Sequence, residues 1–342
     1  MAKVRFYWVD WMKVIGMFLI IWGHLFPKHS CDFIYSFNVP LFFCISGFLG
    51  VGRLKLKPLM VPYLIICATY LVIDIPWQYK AGDLSFMNSL RSVGYMLAGF
   101  QRTPHGVSAA AMWFVYTLAI CKVVHYFARK DKLRFVISII CLVLVYATGD
   151  NHLFWSFQNV LICYPFYFVG TLAFTHCQLH IQAIEHLANT KSMLCISMAI
   201  VLIFTLSIIA PYNGFVMMYQ CGYGNNLILF LLFSFVGIYA IFLLSVILEK
   251  FKPSFLIILS SGSIVILAYH YLAIRIFNTI CKGVNDGLMN NDVITFFLSL
   301  AILLLHIPII KLVSRYFSVI LGGRKIYIYE KIAIYDTMVS IV

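Results

Sequence analysis

Long apolar runs separated by short polar breaks extend from residue 7 to residue 320 of the chain. A helix needs about 20 mostly apolar residues to cross the hydrocarbon core of a bilayer. The runs that approach or reach this length predict spans over residues 7–26, 33–51, 58–79, 112–128, 134–149, 157–175, 192–211, 225–248, 254–279 and 292–320. The pattern therefore predicts an all-α polytopic membrane protein with about ten transmembrane helices.

The stretch between the third and fourth predicted spans is less regular. Residues 86–100 are short and interrupted by glycine, which is typical of an interfacial or re-entrant segment. No stretch has the composition of a soluble domain or of a low-complexity linker. Residues 1–342 are accordingly predicted to form a single integral-membrane domain.

The composition excludes a water-soluble globule. Hydrophobic residues make up 63% of the 342 residues and charged residues 11%, whereas an average soluble chain carries roughly 25% charged residues. The formal net charge of +13 would suit a nucleic-acid-binding protein, but the basic residues are scattered among apolar runs instead of being clustered on one face. We therefore expect membrane lipid around the chain and no nucleic-acid partner.

The distribution of Lys and Arg over the loops predicts the orientation. With a cytoplasmic N-terminus, 17 of the 25 basic residues fall on the cytoplasmic side, five on the outer side and three within spans. Cytoplasmic loops of membrane proteins carry such an excess, so both termini are predicted to be cytoplasmic. The first span is predicted to be retained, because it contains ionisable residues and no small-residue cleavage site follows it.

The first span carries three ionisable side chains, Asp10, Lys13 and His24. A charge within a span costs about 2.5–3.5 kcal/mol on insertion scales. At 100° per residue, Lys13 lies about 20° and Asp10 about 40° from His24, so the three share one helical face. One interpretation is structural: Lys13 reaches the inner headgroups, Asp10 pairs with it, and His24 marks the membrane boundary. The other is a buried passage with a cationic anchor at Lys13 and a base, His24, roughly 16 Å further out.

Residues 33–49 form an aromatic run that is interrupted by Asn38, Pro40, Ser46 and Gly47. A proline-kinked helix whose small residues allow close helix packing accounts for this pattern. The interruptions also leave polar side chains, Asn38 and Ser46, at membrane depth. Both interpretations stay open on the sequence alone.

A basic loop, with Arg53, Lys55 and Lys57, follows this segment. Such a loop is the ordinary consequence of a cytoplasmic position. It would also serve to bind phosphate, because Lys and Arg are the natural partners of phosphate oxygens.

Weaker candidates lie further along the chain. Trp113 and His270 lie within apolar segments. They could line the same cavity as the polar face of the first span. His176 and His180 have the i, i+4 spacing of metal ligands, but no carboxylate accompanies them at a recognisable spacing, so no metal site is predicted. The sequence contains no P-loop, GxSxG or HExxH motif.

Taken in order, these segments resemble the acyltransferase type 3 family of membrane-bound O-acyltransferases, which acylate bacterial cell-surface sugars and some secondary metabolites. The first match is a basic residue, Lys13, ten intervening residues and His24 after glycine, with Asp10 preceding them. The further matching segments are NVPLFFCISGFL at 38–49, Lys57 followed by LMVPYL, MWFVYTL at 112–118, PFYFVGTL at 165–172 and SSGSIVILAYH at 260–270. They span most of the chain, and the family's ten-helix core agrees with the number of predicted spans.

The resemblance implies an enzyme of a bacterial inner membrane that transfers an acetyl or other short acyl group to a sugar hydroxyl of a lipid-linked or cell-surface polysaccharide. The donor would be cytoplasmic acyl-CoA, a co-substrate and not a permanently bound cofactor. Its pantetheine arm would run along Asp10 and Lys13 to His24, which would act as a general base or carry the acyl group itself. Its phosphates would meet Arg53, Lys55 and Lys57.

The remaining site residues follow from the same resemblance. Ser46 is a candidate oxyanion donor, while Asn38, Trp113 and His270 are candidates for lining the substrate. The family usually has Arg where this chain has Lys13, which keeps the charge but loses the bidentate fork. It usually has His where this chain has Asn38, so a second proton carrier is not expected at that position.

A transporter or permease for a glycan or lipid precursor is the rival interpretation, because buried charges also mark transport pathways. Transporters of several folds contain inverted repeats with broken helices in matching halves. Neither feature is evident in the sequence, which favours the acyltransferase.

Overall fold

A computed structural model describes residues 5–50, 52, 54–82, 84–99, 110–149, 157–281 and 291–323. The first half contains α1 (Tyr7–His24), α2 (Cys31–Tyr35), α3 (Asn38–Leu49), α4 (Lys57–Ile73), α5 (Ile75–Ala81), α6 (Phe86–Leu97), α7 (Trp113–Phe127) and α8 (Asp131–Thr148). The second half contains α9 (Phe157–His176), α10 (Gln178–Thr190), α11 (Ser192–Asn213), α12 (Leu227–Leu248), α13 (Ser254–Ser261), α14 (Ser263–Cys281) and α15 (Asp292–Tyr316). A short antiparallel hairpin, β1 (Val216–Met217) with β2 (Gly222–Tyr223), joins α11 to α12.

The prediction of an all-α membrane protein is confirmed. Within the described ranges, the segments long and apolar enough to cross a membrane are Cys31–Leu49, Lys57–Lys80, Phe157–His176, Ser192–Asn213, Leu227–Leu248 and Asp292–Tyr316, and the pair α13–α14 makes a seventh if it counts as one span. Helices α1 and α8 also form where spans are predicted, but each contains three or more ionisable residues. The total of ten spans and the cytoplasmic position of the termini remain predictions.

The span predicted over residues 254–279 is divided into two helices. Helix α13 ends at Ser261 and α14 begins at Ser263, with the two axes bent by 81°. Gly262 lies at the break, and a Cβ atom there would meet the side chain of Ile310 on α15 at about 2.5 Å. A residue without a side chain thus allows α15 to approach the point where the helix changes direction.

Two amphipathic helices supplement the membrane-length ones. Helix α10 was not predicted; its buried residues Ile181, Ile184 and Ala188 recur every three or four positions, as on one face of a surface helix. A search for runs of about 20 apolar residues overlooks such a helix because it is short and polar on its other face. Helix α6 occupies most of the irregular stretch 86–100 and buries only Ser92 and Met96, which agrees with an interfacial segment.

Helices α1 and α3 pack antiparallel and define the two ends of the bundle. The rings of Trp8 on α1 and Phe48 on α3 have centroids 5.1 Å apart, and Phe48 lies 5.2 Å from Phe174 on α9. The N-terminal end of α1 and the C-terminal ends of α3 and α9 therefore share one face, here called the Trp8 face. The opposite face, the His24 face, lies about 26 Å away along α1 at 1.5 Å per residue.

Helices α3 and α9 approach each other at backbone distance. A Cβ atom on Gly47 would overlap with the carbonyl oxygen of Tyr167, and one on Gly170 would overlap with the carbonyl oxygen of Cys44. Small residues at membrane helix interfaces allow such close packing. The structural interpretation of the small residues in the 33–49 segment is thus supported at Gly47.

Substituting Gly47→Ala or Gly170→Ala should destabilise the protein, because the new methyl group meets backbone that cannot move without displacing a helix. The expected loss is about 1–3 kcal/mol for each substitution, measured as a lower midpoint of thermal unfolding in detergent. Gly94→Ala is the matched control, since nothing lies within 4 Å of a Cβ atom at this position. An unchanged midpoint for Gly47→Ala and Gly170→Ala would contradict the packing described for α3 and α9.

Candidate active site

His24, the last residue of α1, lies at a junction of three helices. Its Nδ1 is 3.1 Å from the hydroxyl of Tyr35, the last residue of α2. Its ring is stacked on that of His270 on α14, with centroids 5.1 Å apart and an interplanar angle of 29°. Tyr271 approaches the same ring edge-on at 5.4 Å. The structure therefore brings together two of the residues singled out in the sequence, His24 and His270.

His270 is fully buried and held in one tautomer. Its Nδ1 lies 2.9 Å from the carbonyl oxygen of Ile266, one turn earlier on α14. Because a carbonyl can only accept, Nδ1 carries the hydrogen, and Nε2 of a neutral ring keeps its lone pair. This Nε2 has no hydrogen-bond partner among the described residues. A buried acceptor without a donor is costly, and it is a group to which a ligand could donate.

Asp10 lies at the other end of α1 and is also buried. Its carboxylate accepts hydrogen bonds from Ser260 Oγ at 2.5 Å and from Arg5 Nε at 2.6 Å. Ser260 belongs to the last turn of α13, so the broken helix provides the donor. Lys13 is partly buried one turn further along α1. Since α1 is a continuous helix, the predicted common face of Asp10, Lys13 and His24 is retained.

Three further sequence candidates lie in the bundle without a demonstrated role. Asn38 is buried at the start of α3, and its side-chain oxygen accepts from the backbone N–H of Val39 at 2.7 Å. Ser46 is partly buried on the same helix. Trp113 is buried at the start of α7, within the hydrophobic core that also contains Tyr167. Their roles in lining a substrate or stabilising an oxyanion remain predictions.

A second polar site lies at the Trp8 face, in a cavity of about 170 Å³ that we call the basic pocket. Its ionisable lining residues are Lys55, Lys122, His125, Arg129, Asp131 and Arg134. Of the predicted phosphate-binding loop, Lys55 lines the pocket, Lys57 is exposed at the start of α4 outside the lining, and Arg53 lies outside the described residues. Sequence reasoning missed the contributions of α7 and of the turn between α7 and α8, because only the fold brings them next to Lys55.

Arg134 organises the turn between α7 and α8. Its Nε donates to the carbonyl oxygen of Ala128 at 2.6 Å, one terminal nitrogen donates to the carbonyl oxygen of His125 at 3.4 Å, and the other contacts Asp131 at 2.7 Å. Hydrogen bonds from His176 and Arg134 hold the pKa of the Asp131 carboxyl below its ordinary value. Asp131 therefore stays ionised at neutral pH and pairs with Arg134.

His176 and His180, the two histidines with metal-ligand spacing, are hydrogen-bonded to different residues. His176 Nε2 lies 3.3 Å from Asp131, whereas His180 Nε2 lies 3.3 Å from the hydroxyl of Tyr239. Among the described residues, no group of three or more His, Cys, Asp or Glu side chains has the arrangement of a metal site. Hydrogen bonds to these partners account for the two side chains.

The family comparison gives the reaction class of the protein. A family model described as an acyltransferase domain, Acyl_transf_3, matches residues 6–310, which include α1, the broken helix pair and most of α15. No curated protein and no solved structure shows significant similarity to the chain. Because the match covers nearly the whole chain, the protein belongs to the acyltransferase 3 family and is an acyltransferase of the membrane.

Proposed function

We propose that this acyltransferase moves an acetyl or other short acyl group from cytoplasmic acyl-CoA to a sugar hydroxyl of a lipid-linked or cell-surface polysaccharide. The observation that carries the proposal is the contact of His24 with Tyr35 and His270. A partly buried imidazole whose one nitrogen is oriented by a neighbour is the arrangement expected of a general base. The family match supplies the reaction class but not the donor or the acceptor.

In the proposed mechanism, His24 Nδ1–H donates to the Tyr35 hydroxyl oxygen, which leaves the lone pair on Nε2. Nε2 takes the proton of the sugar hydroxyl while the hydroxyl oxygen attacks the thioester carbon. The carbon–sulfur bond then breaks, and the imidazolium returns the proton to the departing thiolate, so that the products are the sugar ester and free CoA. Attack by Nε2 itself, with an acyl-histidine intermediate, is the alternative, and we favour the general base.

The donor is proposed to enter from the Trp8 face. With ten spans and both termini in the cytoplasm, as the loop charges predict, this face is cytoplasmic and His24 lies near the outer surface of a bacterial inner membrane. Basic side chains at the Trp8 face, including Lys55, suit the phosphates of acyl-CoA. The pantetheine arm then follows Lys13 toward His24, with Ser46 as a candidate oxyanion donor.

The broken helix is the one observation that bears on the rival transporter. Discontinuous helices form substrate sites in many transporters, but there they occur as pairs in matching halves. Among the described residues, the bent pair α13–α14 has no counterpart that passes the same test. Its Ser260 is bonded to Asp10, and the family membership favours an enzyme.

Replacing His24 by alanine should abolish transfer without lowering the amount of protein in the membrane, because the base is lost while the residue sits at a helix end. The measurement is transfer of label from radiolabelled acetyl-CoA to the glycan fraction of isolated membranes. The exposed His29 at the same face provides the control variant, His29→Ala, which should transfer normally. Equal labelling of the glycan fraction by wild type and His24→Ala would show that His24 has no part in the mechanism. If the protein carried its substrate across the membrane without changing the mass of that substrate, the transporter would be favoured instead.

Tyr35→Phe should lower kcat about tenfold, because the variant loses the hydroxyl that orients His24. A hydrogen bond of about 1.4 kcal/mol in the transition state corresponds to this factor. Tyr271→Phe is the control, since this residue contacts His24 through its ring and should keep nearly full activity. The orienting role is wrong if both variants lose activity equally.

Neutralising Lys13 by Lys13→Met should raise the KM for acyl-CoA, since a positive charge along the proposed donor path is lost. Lys13→Arg keeps the charge and should remain close to wild type. Steady-state kinetics over a range of donor concentrations distinguishes the two variants. An unchanged KM in Lys13→Met would show that Lys13 does not anchor the donor.

A further inference from the structure

A second cavity, here called the apolar cavity, lies among α1, α3, α9, α10 and α12 and has a volume of about 400 Å³. Among the described residues that line it, the side chains with nitrogen or oxygen atoms are Trp8, His180 and Tyr239. At 100° per residue, the lining residues Trp8 and Met12 of α1 each lie about 160° from Asp10. The apolar cavity is therefore on the opposite side of α1 from the polar face that carries the candidate active site.

The apolar cavity opens sideways, between α9 and α12. Its floor consists of Met12 on α1 and Ile45 on α3, each of which is 4% exposed. At its mouth, Val169 on α9 is partly exposed and Phe235 on α12 is exposed. Both α9 and α12 are long and apolar enough to cross a membrane, so the mouth faces the hydrocarbon of the bilayer.

The size of the apolar cavity suits a single hydrocarbon chain. Phe242 packs edge-on against Trp8 at the Trp8 face, with ring centroids 5.1 Å apart. Phe235 precedes Phe242 by two turns of α12, so it lies about 10 Å deeper, which is about a third of the hydrocarbon core. A helix 10 Å in diameter would fill roughly 800 Å³ over this depth, about twice the cavity volume of 400 Å³. A helix of a partner protein is therefore too wide for the cavity.

The polar groups of the apolar cavity lie at its Trp8-face end. Helix α10 lines this end, where His180 Nε2 is 3.3 Å from the hydroxyl of Tyr239 on α12. Trp8 is 4% exposed, and its Nε1–H has no hydrogen-bond partner among the described residues. An ester carbonyl, placed where the chain of a lipid meets its headgroup, is an acceptor of the kind that this donor lacks. The cavity thus has the polarity of a lipid, with a polar end near the membrane surface and an apolar interior.

We propose that the apolar cavity binds one acyl chain of a membrane glycerophospholipid, with the ester at the Trp8 face and the chain directed toward Phe235. Lipid tails are as apolar as the cavity, so binding depends on van der Waals packing and not on the hydrophobic effect. The aromatic walls provide this packing, since Trp8 is itself fixed edge-on between Phe48 and Phe242. The bound chain fills the space between α9 and α12, and the proposal does not depend on the identity of the acyl donor.

The test is photo-crosslinking of the full chain in nanodiscs, with a glycerophospholipid that carries a diazirine in the middle of one acyl chain. Mass spectrometry of the peptides locates the adducts. The floor residues Met12 and Ile45 should be labelled, because a chain within the cavity reaches them whereas the surrounding lipid does not. Ile200 on α11 is 59% exposed and reports labelling by the surrounding lipid.

Two substitutions at the mouth, Val169→Phe and Ala173→Phe, should each lower labelling of the floor roughly fivefold or more, because space filled by a ring has no room for a second group. Labelling of Ile200 should stay at the wild-type level in both. They lie on successive turns of α9, so that either one tests the proposal if the other fails to fold. The control is Leu232→Phe, which adds a ring at a position on α12 that is 55% exposed and outside the cavity lining, and it should be labelled like wild type.

Three outcomes overturn the proposal. One is a floor that stays unlabelled in wild type while Ile200 is labelled, which would show that no lipid chain enters the cavity. Another is floor labelling that is undiminished in both mouth variants. The third is floor labelling by a polyprenyl phosphate with the same photoreactive group but not by the glycerophospholipid, which would assign the cavity to a different class of lipid.

Discussion

The hydrogen bond between Ser260 and the buried carboxylate of Asp10 fixes the broken helix pair beside α1, and the geometry of the candidate active site depends on it. A carboxyl group in an apolar interior is tolerated only when its oxygens have partners, and Asp10 has them in Ser260 and Arg5. The partners Ser260 and Asp10 are 250 positions apart in the sequence. Because the chain turns by 81° directly after Ser260 and Ser261, α14 then carries His270 to the ring of His24.

The sequence could predict the features that depend on local periodicity. The helical membrane class and the common face of Asp10, Lys13 and His24 follow from composition, run length and spacing along one continuous helix. The family is recognised differently, from the resemblance of several ordered motifs to those of a known family. The break at Gly262 could not be predicted in the same way, because a single glycine is tolerated within an apolar helix. The reason for glycine at position 262 is visible only in the folded structure, where the side chain of Ile310 on α15 occupies the space that a Cβ atom would need.

The predicted phosphate-binding loop and the basic pocket differ in the same way, because the loop is local in the sequence whereas the pocket is formed by tertiary structure. A basic cluster within five residues can be recognised in the sequence, and Lys55 belongs to both sets. Lys122, His125 and Arg129 join it only through the packing of α7 and α9 against the end of α3. Charges that converge from separate segments have no signature along the chain, since their distances are set by tertiary structure. Lys57, by contrast, is conspicuous in the sequence but lies outside the pocket lining.

The departure of Asn38 from the family pattern can be reconciled with the proposed chemistry. An amide does not titrate, and the Asn38 oxygen is already occupied by the N–H of Val39. The second imidazole beside His24 comes instead from α14, where Ile266 fixes the tautomer of His270. Two stacked imidazolium rings would repel each other strongly in an apolar site, so this pair does not hold two protons at once. Acyl transfer needs only one, because the proton that leaves the hydroxyl is the one that the thiolate receives. A site with His24 as its single proton carrier and His270 as a neutral acceptor therefore meets the requirements of the reaction without a titratable group at position 38.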